Sequence, residues 1–416
     1  MPVGGPESRA GGRVPRGEEG IAWLVAPGLA LIAVTYGLAR FAYGLFLPEM
    51  REAFDLSPSL LGAIGAGSYL AYCVAVVISL VFTSRTGPRW MAVAAGTAAV
   101  VGMAVVAGAP APWVLALGIV VGGSSTGLAS PPMGEAVART IRDGLQDRAN
   151  ALINSGTSVG VALSGPAALL LSGQWRLAWV AFALVGLAVL AWNAAVMPRE
   201  AVADQDEDGA EAGDGSGRTR LSFSYLVGAR VRSRSLPLFV SAFGLGFASA
   251  VYWTFSRDLV VQVGGLGQTG STLFWTVIGV SGLAGGAAGD LVRRFGLAAV
   301  LRGALVSMAG SMALLAVAPG VLPLAYASAA LFGSTYILLT GVVLVWSVGV
   351  FRERPSAGLG AGFLLIAVGQ VVGSPVAGAL AGTTSPTTAF FSFAGVAVLT
   401  ALVRPHSDLQ GLQVRE

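Results

Sequence analysis

Arg40 is the residue whose type and place most demand an explanation. Eight uncharged residues, Phe41 to Pro48, separate it from Glu49, and a long apolar stretch precedes it. At 1.5 Å per residue it stands about 25–30 Å from the start of that stretch, in the outer part of a hydrocarbon layer. A guanidinium keeps its charge in a protein, and that charge is costly in lipid unless it meets water, an anion or a fixed partner. Three roles compete: Arg40 receives an anionic substrate, pairs with an acid such as Glu49 or Asp258, or snorkels to outer headgroups. Tyr36 and Tyr43, four residues before and three after, share its helical face.

Other polar groups lie within apolar blocks: Tyr69, Tyr72, Ser124 to Thr126, Asn154, Trp275, Tyr336 and Gln370. The amides of Asn154 and Gln370 suit either a substrate or a neighbouring helix, the commoner role for such side chains. A proton carrier would be an acid buried in one state and hydrated in another. Glu135, Asp258, Asp290 and Glu49 are the candidates, all at block ends. Glu135, after Ser130-Pro131-Pro132, comes first, with an interfacial cap as its alternative.

Several chemistries lack material. Cys73 is the only cysteine and His406 the only histidine, which removes an intrachain disulfide, a Cys/His zinc site and a Ser/His/Asp triad. The glycine runs at Gly118, Gly122, Gly123 and Gly127 and at Gly358, Gly360 and Gly362 lack the strand and Lys of a phosphate loop, and read as close helix contacts. No nucleotide, metal or other cofactor is expected, and no enzyme activity. All 25 basic residues are Arg, the net charge is +4, and no basic patch with stacking aromatics is present, so nucleic acid is not a partner.

The elements that must position these residues follow from composition. Of 416 residues, 55% are hydrophobic and 11% charged, against about 25% charged in soluble domains, and the mean hydropathy is +0.75. Cutting at charged and Pro/Gly clusters predicts an all-α integral membrane protein of twelve spans: 21–47, 59–82, 90–108, 113–137, 150–171, 177–197, 237–261, 270–290, 297–318, 322–349, 357–381 and 387–403. The first apolar stretch is too long for a cleaved secretory segment and is expected to stay. Residues 1–20 and 404–416 form polar tails, and 21–197 and 237–403 form two bundles. The 198–236 linker runs from acidic to basic, and its Leu221 to Leu236 part suits either an interfacial helix or a disordered segment. Short Arg-rich loops stay in the cytoplasm. With both termini inside, 21 arginines fall on the inner side and only Arg51, Arg176 and Arg257 outside. A multi-pass protein of a bacterial cytoplasmic membrane is expected, with the lipid bilayer as its surroundings.

A shift of 209 residues lays one half on the other. Gly37, Ala39, Tyr43 and Phe46 fall on Gly246, Ala248, Tyr252 and Phe255; Arg85 and Gly87 on Arg294 and Gly296; Gly160, Pro166 and Gly173 on Gly369, Pro375 and Gly382. The halves are thus expected to be pseudo-symmetric six-helix bundles. That symmetry brings Tyr43 and the Tyr252-Trp253 pair to opposite walls of a central cavity, unless both tyrosines serve as aromatic-belt anchors.

The loops Ser84-Arg85-Thr86-Gly87-Pro88-Arg89 and Gly289-Asp290-Leu291-Val292-Arg293-Arg294-Phe295-Gly296 resemble the Gly-x3-Asp-Arg-x-Gly-Arg-Arg signature of the major facilitator superfamily. The resemblance implies that fold, alternating access, and gating loops around Arg85, Gly87, Arg294 and Gly296. Ser84 and Arg293 stand where the family has Asp, and Leu80 where the first half would have Gly. Asp290 lies one turn before Arg293 and either substitutes or is a helix-end charge. The run from Arg40 to Pro48, with Phe54-Asp55-Leu56-Ser57, is similar to the first span of monocarboxylate and oxalate/formate-type carriers. Asn154 to Gly160 with Gly165-Pro166 resembles an antiporter element in span 5, although the arginine of drug/proton antiporters is absent around Gly118. The expectation is a monomeric secondary transporter moving a small organic anion with proton coupling. The alternative is a proton-driven exporter of amphipathic metabolites or drugs.

Overall fold

Inside lipid a segment must satisfy its own backbone hydrogen bonds, and a helix does so without a neighbour. In a computed structural model, which describes residues 18–171, 174–197, 229–351 and 355–405, every expected apolar block is helical and no strand occurs among the described residues. Helix α1 joins Glu18–Ile32, a π-helical Ala33–Phe41 and Ala42–Phe54; α2 is Pro58–Thr86, α3 Pro88–Ala107, α4 Pro112–Thr140, α5 Asp143–Leu170 and α6 Trp175–Val196. In the second half α7 is Ala229–Gln262. Helix α8 joins Gln268–Gly282, a 3₁₀ turn Leu283–Ala287 and Ala288–Phe295. The last four are α9 Leu297–Val317, α10 Leu322–Val350, α11 Pro355–Thr383 and α12 Pro386–Ala401.

Ten of these helices are long and apolar enough to cross a bilayer by themselves. The other two are α5, which opens on Asp143, Asp147 and Arg148 and carries Asn154, and α12, an apolar helix of 16 residues. Proline begins α2, α3, α4 and α12, where its missing N–H costs nothing. The Ser57 and Ser385 hydroxyls accept from the amides of Leu60 and Thr388.

Two boundaries differ from the sequence reading. Helix α1 continues through Pro48 to Phe54, so Arg40 lies near the middle of the Trp23–Phe54 span and not in its outer part. Helix α7 begins at Ala229, so the part of the interfacial candidate from Ala229 onward is one helix with α7. Residues 198–228, with the rest of the expected linker, and the tails 1–17 and 406–416 lie outside the described residues.

Packing repeats as the sequence does. Within the first half α1 packs on α5, α2 on α4, and α3 on α4 and α6; within the second α7 packs on α11, α8 on α10, and α9 on α10 and α12. Between the halves, α2 meets α11, α5 meets α8, and the Ala42–Phe54 part of α1 meets α7. The first two of these contacts exchange under the repeat, and the third maps onto itself.

The matched glycines explain why the crossings are alike. A Cβ on Gly37 would strike the Gly160 backbone and come within 2.7 Å of the Val161 nitrogen; one on Gly369 would come within 2.7 Å of the Phe247 nitrogen and 3.1 Å of the Gly246 carbonyl carbon. Gly37 and Gly160 at α1–α5 are thus the counterparts of Gly246 and Gly369 at α7–α11, and small residues there let the two backbones touch. Gly87 and Gly296 are a second matched pair, with φ of 82° and 81° at the α2–α3 and α8–α9 turns, a conformation glycine adopts without strain.

Gly160→Leu or Gly369→Leu should force these crossings apart and destabilise by about 3 kcal/mol or more, the upper side of overpacking costs, since backbone is what a new side chain meets. Gly395→Ala, where a Cβ meets nothing within 4 Å, should cause no loss. Thermal unfolding of detergent-purified variants checks both.

Candidate functional site

Arg40 lies in the last turn of the π-helical segment of α1. Widened turns of this kind re-aim side chains and recur at functional sites. The residue is 6% exposed. One guanidinium nitrogen, Nη2, donates to Oε1 of Gln370 on α11 at 3.0 Å, and Gln370 Nε2 donates to the Tyr336 hydroxyl on α10 at 3.3 Å. Ring centroids of Tyr72, Tyr69, Phe41 and Tyr36 lie 4.5, 4.8, 5.3 and 5.7 Å from the guanidinium carbon. Rings offer a desolvated cation about 0.5–2 kcal/mol each, and a charge-assisted hydrogen bond about 1.5–3 kcal/mol. Together they offset the roughly 2.5–3.5 kcal/mol of placing Arg at the centre of a span. They stabilise the charge without neutralising it.

No carboxylate pairs with Arg40 among the described residues. The two acids considered as its partners are taken: Arg257 Nη1 meets Glu49 Oε2 at 2.6 Å, and Arg51 Nη1 meets Asp258 Oδ2 at 2.8 Å. Both are pairs between α1 and α7, at the end of the bundle opposite the described termini. Arg257 also donates to the Leu45 carbonyl and, at 3.4 Å, to Thr272. Asp258 is buried, with Oδ1 lacking a hydrogen-bond partner. These pairs tie the halves together at that end, aided by the Ser374 hydroxyl of α11, which donates to the Gly62 carbonyl of α2 at 2.9 Å.

The remaining candidates separate. Trp253 joins the Arg40 surroundings: its indole stacks on Phe41 at 4.0 Å and 22°, and meets Tyr336 edge-on at 5.2 Å. The Tyr36 hydroxyl bonds to Ser130 at 2.9 Å. Tyr43 is buried and donates to the Leu61 carbonyl at 2.8 Å. Tyr252 is fully buried inside the second half, stacked on Phe332 at 3.7 Å and bonded to Ser328 at 2.8 Å. Both tyrosines are therefore packed in protein rather than at a lipid belt, and neither ring is among those around Arg40.

Asn154 sits on an exposed position of α5. Glu135 pairs with Arg139 one turn along α4 at 2.5 Å, the pair partly exposed. Asp290 pairs with Arg293 on the exposed end of α8, and Arg294 lies over the ring of Phe295 at 5.1 Å. Arg85 falls in the described part of α2, but its side chain does not.

Sequence reasoning named Tyr69 and Tyr72 only as polar residues in a span, and missed Phe41. The residue after Arg40 would not share its face on a regular α-helix; in the wider π turn it does approach the guanidinium. The crossed ion pairs were also missed. Their signal was present, since the 209-residue shift lays Glu49 on Asp258.

The profile of the Major Facilitator Superfamily matches residues 29–365. The chain belongs to this superfamily, and it is a transporter rather than an enzyme. Among solved structures it is similar to a single-residue variant of the nucleoside transporter NupG, with a TM-score of 0.73 at 13% identity over 94% of this chain and 99% of that one. A D-xylose-proton symporter gives a TM-score of 0.70 at 16% identity, covering 95% and 99%. The xylose transporter XylE from E. coli, in a partially occluded inward-open conformation, gives 0.70 at 14% identity, covering 92% and 96%. At these identities the likeness is one of fold. No curated protein matches the sequence significantly.

Arg51→Met should leave the Asp258 carboxylate buried and unpaired. The expected cost is about 1–3 kcal/mol, below that of a fully buried pair because the Arg51 side chain is 30% exposed. Adding Asp258→Asn should recover most of the lost melting temperature, and a double-mutant cycle by thermal unfolding reads the coupling.

Proposed function

We propose that this transporter moves a small organic anion by alternating access, with Arg40 as the anion's contact and a proton as the coupling ion. The observation that carries the reading is the state of Arg40: a buried cation between the two halves, held by neutral groups among the described residues. Every other feature of its surroundings tolerates the charge; an anion would complete it.

A carboxylate arriving at Arg40 competes with Gln370 for the guanidinium. Displacing Gln370 unties a hydrogen bond that runs from α1 in one half to α11 and α10 in the other. Binding thereby removes a contact between halves and favours a state in which they sit differently, as a ligand must if it is to shift a conformational equilibrium. The crossed pairs Glu49–Arg257 and Arg51–Asp258 act as the gate at the far end, broken when that end opens.

Proton coupling is supported by the similarity to a D-xylose-proton symporter and by Asp258. Its carboxylate is buried, has one oxygen unpartnered, and is held by an Arg51 that reaches partly into solvent. Protonation while the gate is open would remove the charge that the closed pair needs, so proton and gate are linked. Glu135 and Asp290 have solvent-exposed local partners and suit structural roles. Both termini are assigned to the cytoplasm on the arginine distribution, the membrane to the cell membrane, and the working unit to a monomer.

Two measurements test this. In thermal-shift titrations, small carboxylates should stabilise the wild type, by about 2.7 kcal/mol at a hundredfold excess over Kd, and Arg40→Gln should weaken that binding at least tenfold. Equal stabilisation of both proteins by neutral or cationic amphiphiles, with none from carboxylates, would sink the anion reading. In proteoliposomes a pH gradient should drive accumulation of the anion. Asp258→Asn should keep exchange of labelled for unlabelled anion while losing gradient-driven accumulation.

A further inference from the structure

The groups around Arg40 form a closed circuit. Arg40 bonds to Gln370, Gln370 to Tyr336, Tyr336 meets the edge of Trp253, Trp253 stacks on Phe41, and Phe41 lies 5.3 Å from the Arg40 guanidinium carbon. Four helices contribute, α1 from the first half and α7, α10 and α11 from the second. Two members of this circuit carry buried donors without a partner: Arg40 Nε and Trp253 Nε1. Arg40 is 6% and Trp253 4% exposed. Neither nitrogen can accept a hydrogen bond, so only an acceptor can satisfy them. Unpaired buried donors cost about 1–3 kcal/mol each, and their persistence in one circuit points to a ligand that supplies acceptors to both.

Charge sets a further limit. The only unneutralised cation in the circuit is Arg40, while Arg51 and Arg257 are already matched by Asp258 and Glu49. One negative charge is therefore compensated and a second would not be. The rest of the wall is made of ring faces, with Tyr69 and Tyr72 both buried beside the guanidinium and Tyr36 edge-on to Tyr72 at 6.5 Å. The Tyr36 hydroxyl is bonded to Ser130, and the Tyr336 hydroxyl accepts from Gln370 and keeps one O–H to donate. Such a wall offers flat apolar surface and few free hydrogen-bonding groups, which suits a planar ring and not a polyhydroxylated body.

We infer that the substrate is an aromatic monocarboxylate, whose carboxylate is held jointly by Arg40 and the Trp253 indole N–H and whose ring lies among Tyr36, Tyr69 and Tyr72. This rests on the anion reading above and narrows it. Trp253 is then a specificity-determining residue.

The test is a binding series on the purified wild-type protein by thermal shift and calorimetry, using benzoate, cyclohexanecarboxylate, acetate, phthalate and benzamide. Benzoate should bind at least tenfold tighter than cyclohexanecarboxylate, acetate or the dianion phthalate, and benzamide should not bind. Trp253→Phe, which removes the indole N–H but leaves an aromatic ring beside Phe41, should fold with a modest loss of ligand-free melting temperature and weaken benzoate about tenfold. It should leave the preference for benzoate over benzamide in place, because Arg40 still supplies the charge. If acetate or cyclohexanecarboxylate matches benzoate, the aromatic class falls while the anion reading stands. If phthalate matches it, the single-charge limit falls. If benzamide matches it, both readings fall together. Benzoate that fails to bind at millimolar concentration also overturns the inference, whatever the variant does.

Discussion

A guanidinium cannot shed its proton, and this one lies near the middle of a membrane span, paired with no acid among the described residues. Much of the architecture can be understood as what makes that tolerable. The π-helical turn of α1 carries Arg40, four rings surround it, and Gln370 reaches across from the other half to hold it. An apolar site of the same shape would be more stable and would have nothing to attract an anion. The energetic compromise is a charge that is solvated well enough to persist and poorly enough to gain from a ligand.

Glycine crossings act both inside the halves and between them, as at Gly62 and Gly378, where α2 meets α11, and at Gly279, where α8 meets α5. Within each half, glycine crossings bring backbones into contact, which fixes the α1–α5 and α7–α11 pairs as rigid units because no side chain there can yield. Between halves, the described contacts include ion pairs and hydrogen bonds that have alternative partners. The ionic contacts of α1 and α7 can exchange protein partners for water, although Gly44 also packs against the Trp253 carbonyl beside them. The rocking proposed above would have to part these packed crossings as well as the ionic contacts.

Much of the fold was legible in the sequence because membrane spans announce themselves by length and composition, and because an ungapped repeat survives in Gly37/Gly246, Gly160/Gly369 and Gly87/Gly296. Each of those pairs has a geometric duty, which is why the glycines match. The site was legible in part. Arg40 stood out by charge, and Gln370, Tyr336 and Trp253 by type. Which polar residues meet is a matter of helix rotation, and periodicity along a span that is apolar on every face does not report it. Tyr252 illustrates this: it matches Tyr43 in the repeat, yet its ring faces into its own bundle. The end of α1 was misjudged because Glu49 and Arg51 look like the close of a span, when each is neutralised by a partner on α7.

The crossed pairs are not equal copies. Glu49 and Asp258 are repeat mates, but their arginines are not: Arg257 falls on Pro48, and Arg51 on Val260. Arg257 is 3% exposed and has three acceptors, whereas the Arg51 side chain is 30% exposed and has one. The symmetric acids thus sit under asymmetric latches, and water loosens the Arg51 side first. In the opening proposed above, the far end therefore comes undone from the Arg51 edge, like a zip, before the second latch gives way.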